Sequence, residues 1–194
     1  MNRFDKNRKG EEGFSYIDVM IAIVIMLVGV LALASALTAN LIRSYETDKK
    51  IIAKQYALST IESIISAKDI ARTDAVEGWE SVGNVGNNIV DGTAQGIFLN
   101  GWTPIREELG WDGVAGTADD GCPEATACNV AGRPPNNSPV VPGFERRIVI
   151  TDVQDAERPT PPNPITRRRI DVTVRYNVSG IYRNESVATL VTNY

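Results

Sequence analysis

The chain has 194 residues, with 20 Lys and Arg against 24 Asp and Glu, a net charge of −4 and no histidine. Without histidine there is no Ser-His-Asp or Cys-His nucleophile, and the two cysteines, Cys122 and Cys128, are too few for a four-ligand zinc site. The acidic balance argues against a general nucleic-acid binder, and no other catalytic constellation is present, so the chain reads as a non-enzyme.

The first thirteen residues carry four basic and three acidic side chains. From Val19 to Ile42 nothing is charged. A helix of that length extends about 36 Å, enough to cross a hydrocarbon core of about 30 Å. The run is too long for the apolar core of a secretory signal, whose cut would have to fall near Ala34 to Ala39. Arg3, Lys6, Arg8 and Lys9 before it are balanced by Arg43, Lys49, Lys50 and Lys54 after it, so the positive-inside rule does not orient it. Asp18 stands one residue before the run. It reads either as a helix N-terminal acid or as a carboxylate that needs a cationic partner.

Residues 13–33, G-F-S-Y-I-D-V-M-I-A-I-V-I-M-L-V-G-V-L-A-L, resemble the prepilin-type processing and methylation motif of type IV pilins and type II secretion pseudopilins. The resemblance implies a leader over residues 1–13, removed after Gly13 by a prepilin peptidase, and N-methylation of Phe14. It places the family's acidic docking residue on Asp18, which would meet the N-terminal amine of a neighbouring subunit. Two positions depart from the family pattern. Asp18 replaces the usual Glu, and Ser35 falls where many major pilins have a helix-bending proline. The implied protein is a single-pass inner-membrane subunit with its head outside the cytoplasm, joining a pilus fibre or tip through its N-terminal helix. The S-Y-I-D-V-M start and the large irregular loops look most like minor pilins of the PilV type. A minor pseudopilin of a type II secretion system, or a pilus-tip adhesin or DNA receptor, are the alternatives.

Beyond Arg43 the apolar residues become periodic. Ile51, Leu58, Ile61 and Ile65, with Ile52 and Ile64 beside them, predict that one helix from about Phe14 to about Ala71 continues as an amphipathic segment. Gly78 and the run Gly83, Gly86, Asn87, Asn88 end it. The domain division is thus 1–13 leader, 14–42 transmembrane and polymerisation helix, 43–75 amphipathic helix and 76–194 head. In the head, Ile170 to Val178 alternates apolar and polar, Ser179-Gly180 is a turn, and Ile181 to Thr192 completes a hairpin. Arg147 to Asp152 is a third strand and Ile97 to Leu99 a short fourth. The fold class is α+β, a long helix packed on a small antiparallel sheet, as in type IV pilins.

The segment Trp111 to Cys122, W-D-G-V-A-G-T-A-D-D-G-C, places Asp112, Asp119 and Asp120 among turn-forming glycines. Calcium takes six to eight hard oxygens, and such a loop offers carboxylates and inward carbonyls. The EF-hand pattern is not met. The spacing is similar to the calcium loop of the major pseudopilins, which implies Asp112, Asp119 and Asp120 as Ca2+ ligands. A metal-free acidic turn is the competing reading. Cys122 and Cys128 read as a structural disulfide if the head is outside the cytoplasm. The basic clusters Arg146-Arg147 and Arg167-Arg168-Arg169 alternate faces if they lie on strands, and no aromatic residues interleave with them, which speaks against nucleic acid as a partner.

Overall fold

The computed structural model describes residues 15–69, 78–90, 92–110, 112–122 and 139–193. A single helix, α1 (Tyr16–Asp69), runs through two compact units, Met1–Tyr45 and Glu46–Tyr194. In the first unit every described residue is exposed, including Ile25, Met26 and Leu33. The most apolar eighteen-residue stretch of α1 has a mean hydropathy of 2.9 and is long enough to cross a membrane. Ser15 starts the helix. Its hydroxyl accepts the Ile17 N–H at 3.4 Å and its carbonyl the Asp18 N–H at 2.9 Å.

In the second unit the remainder of α1 packs on a four-stranded antiparallel sheet in sequence order: β3 (Thr103–Arg106), β4 (Val140–Asp152), β5 (Arg167–Val178) and β6 (Ile181–Thr192). Before these come a short helix, α2 (Gly78–Ser81), and a two-stranded ribbon of β1 (Ile89–Val90) and β2 (Thr93–Ala94). β5 lies in the middle, with alternate residues Ile170, Val172, Val174, Tyr176 and Val178 buried, as its period of two requires. The β5–β6 turn is Ser179-Gly180, both with positive φ (52° and 84°), the backbone hand that matches strand twist in a two-residue hairpin.

Three expectations are corrected. Ile97–Leu99 is not a strand; Phe98 forms an isolated bridge with Asn84, and the fourth strand is β3. β4 starts seven residues earlier than Arg147. The face of α1 turned to the sheet is Ala53, Ala57, Thr60, Ile61, Ile64 and Ala67, whereas Ile51, Leu58 and Ile65 are exposed. Small alanines let the helix backbone approach the Val and Ile side chains of β5, so close packing selects them over larger residues on the same helical period. The end expected near Ala71 lies outside the described residues.

Candidate functional site

The loop carrying the three expected calcium ligands is built on glycines. Gly110, Gly113, Gly116 and Gly121 all have positive φ. Gly110, with φ +84°, is the most constrained, because a Cβ there would stand 2.4 Å from the Asp119 backbone carbonyl oxygen. The loop is tied to the rest of the head through its backbone. The Ala115 N–H donates to Ser63 Oγ of α1 at 2.8 Å, and the Gly116 carbonyl accepts from Leu99 N at 2.9 Å.

Each aspartate serves this loop. Asp112 Oδ1 accepts the Val114 N–H at 2.7 Å. Asp119 Oδ2 accepts the Asp112 N–H at 3.1 Å, and its Oδ1 accepts from the Thr117 hydroxyl at 2.5 Å. Asp120 accepts the Gly116 N–H at 2.9 Å and forms a charged pair with Arg146 of β4. The Arg146 side chain is 3% exposed and its Nη1 also donates to Thr60 Oγ1 at 3.3 Å, linking loop, sheet and helix. Burial pushes the Asp120 carboxyl above its ordinary range, with the Arg146 charge opposing. The same burial lowers the Arg146 guanidinium, and Asp120 opposes that.

Among the described residues no three Asp, Glu or Cys side chains converge as a group able to hold a metal. The carboxylates accept from loop N–H groups, the Thr117 hydroxyl and the Arg146 guanidinium. An incoming ion would have to displace Arg146 from Asp120. Sequence reasoning missed Arg146, Thr60 and Ser63 as partners of this loop. The available signal was the position of Arg146 between Phe144 and Ile148 on one alternating face of β4.

No family model, curated protein or solved structure matches this chain. The remaining expected residues are placed as follows. Asp18 is exposed in the first turn of α1, and no cationic side chain pairs with it among the described residues. Gly13 and Phe14 lie outside the described residues. Cys122 is 3% exposed and no free cysteine occurs among the described residues, while Cys128 lies outside them.

The basic clusters are split by strand alternation. Arg168 is buried beside Trp79, its guanidinium 4.4 Å from the ring centre, and bonds Asp152 Oδ1 at 3.0 Å and the Val82 carbonyl at 3.0 Å. Arg167 pairs with Asp155 and Arg169 with Asp171. Arg147 lies over Trp102, at 6.0 Å.

Proposed function

We propose that the chain is a minor type IV pilin, a structural and assembly subunit that enters or primes a pilus fibre. Its apolar helix holds it in the inner membrane, prepilin peptidase cuts between Gly13 and Phe14, and the head is displayed outside the cytoplasm. One observation carries this reading: a single helix that is apolar and exposed on all sides in its first part and buries one face on an antiparallel sheet in its second. Such an uncharged surface is stable only against lipid or other apolar helices, at roughly 25 cal/mol per Å² removed from water. Asp18 at the start of that surface becomes costly in a filament core unless a cation meets it, and a neighbour's free N-terminal amine provides one. The Cys122–Cys128 bridge belongs to the same reading, since a head outside the cytoplasm is oxidised.

Mass spectrometry of the membrane-extracted protein tests the proposal. The expected mass is that of a chain beginning at Phe14 with one added methyl group. A chain still beginning at Met1 in cells that carry the peptidase refutes it. Immunoblots of sheared pili separate a pilin from a pseudopilin, which would fractionate with the secretion apparatus instead.

A further inference from the structure

The two edges of the sheet differ in kind. β3 is four residues long, contains Pro104, and loses register with β4 between Pro104 and Arg106. Short length, proline and a register break are common ways to blunt an edge. β6 pairs with β5 over twelve consecutive residues without a shift and contains no proline. Its two charged residues are drawn onto α1, Arg183 by Glu46 at 3.3 Å and Glu185 by Lys50 at 3.6 Å. Among the described residues no strand other than β5 lies beside it, so alternate backbone N–H and C=O groups face outward.

Past this open edge the helix carries an exposed apolar row, with the exposed Lys54 between that row and the edge. Lys50 reaches Glu185, and Lys68 donates to the Thr192 carbonyl at 3.0 Å. Eighteen residues separate the two lysines, about five full turns, so both stand on one line of the helix and that line runs over β6. Ala53, Ala57 and Ile64 lie to one side of the line and are buried against the sheet. Ile51, Leu58 and Ile65 lie roughly 60–100° to the other side, past the edge, and are 51%, 49% and 38% exposed. From Ile51 to Ile65 is about 21 Å along the helix, the length of roughly six strand residues.

We propose that the β6 edge and the Ile51–Leu58–Ile65 row form one docking site for an extended, proline-free segment of another polypeptide, added to the sheet as a further strand. Main-chain bonds to β6 supply affinity, and alternate apolar side chains of the incoming segment cover the helix row. Its opposite face lies alongside Tyr182, Asn184, Ser186, Ala188 and Leu190, which are exposed, and meets water. Because Arg183 and Glu185 are already paired, no charge on β6 itself calls for a charged partner. A helix laid on the row would leave the outward groups of β6 unused.

The test uses the full chain in detergent micelles. The probe is a peptide of about eight alternating threonine and valine residues with a lysine at each end. Hydrogen exchange of outward amides in β6 is expected to slow about tenfold or more at saturating peptide. A version with a central proline gives no protection. Leu58→Lys, at an exposed position that leaves the head folded, weakens binding of the alternating peptide about tenfold or more. Absence of β6 protection at about 1 mM peptide, where even the weakest useful affinity would register, overturns the proposal. So does binding that Leu58→Lys weakens without any β6 protection, which is helix docking. Concentration-dependent β6 protection in the chain alone assigns the edge to a second copy and equally overturns it.

Discussion

The Asp120 carboxylate on the glycine-rich loop meets the Arg146 guanidinium of β4 across twenty-six residues of chain, with the arginine almost wholly enclosed. Arg146 takes the place of a hydrophobic residue on the buried face of β4, between Phe144 and Ile148. Asp120 is what makes that burial tolerable. Removing one partner leaves the other charge stranded, so Asp120→Ala should lower the unfolding free energy by about 3–5 kcal/mol. Replacing both, Asp120→Leu with Arg146→Met, should cost clearly less than the sum of the two single changes. A double-mutant cycle by denaturant unfolding measures this, and additive losses would show that the two side chains are not coupled.

The pH dependence has a definite sign. The folded state holds the Asp120 proton more tightly than the unfolded chain, because burial raises this carboxyl above 3.8 despite the Arg146 charge. Stability linked to that proton is fully present below 3.8 and is lost as pH rises through the raised folded value. The wild type should therefore decline relative to Asp120→Asn over the interval that begins near 3.8 and runs upward. Unfolding curves collected at successive pH values check this; parallel profiles for the two proteins would contradict it.

Calcium offers a separate check on the same loop. An ion bound only to the folded head would add about 2.7 kcal/mol at a hundredfold excess over its Kd. With Arg146 already on Asp120, added calcium or chelator should leave the melting temperature unchanged. A rise with calcium that disappears in Asp119→Ala/Asp120→Ala would identify the loop aspartates as ligands.

The packing of α1 predicts an inversion of the sequence expectation for its second half. Ile64, fully buried, should cost about 2–5 kcal/mol of head stability when changed to Ala. Leu58, about half exposed, should cost well under about 1 kcal/mol. Equal losses at the two positions would mean that the exposed row is covered within the single chain.

Asp18 should matter to assembly and not to the head, since it stands exposed in the first unit. Asp18→Asn should reduce incorporation into sheared pili, and Asp18→Glu should match or exceed the wild type, while the melting temperature of the head stays the same in both. Normal incorporation of the Asn variant would remove the amine-pairing role.

The sequence by itself determined the features whose signal is local. An uncharged run from Val19 to Ile42 makes an apolar helix in any context, and the strict alternation from Ile170 to Val178 makes a half-buried strand, because both follow from backbone period alone. The Ser179-Gly180 turn was legible for the same reason, since few residue pairs accept positive φ twice. Only the tertiary structure decided which partners these elements take. Helical period allowed Leu58 or Ala57 to face the sheet, and close packing chose the alanine. The loop spacing suggested three carboxylates around an ion. The fold also brought Arg146 to Asp120 from another element, and a contact across twenty-six residues leaves no trace in local pattern. The open edge of β6 is also a tertiary fact, because whether a strand lacks a neighbour depends on every other strand in the sheet.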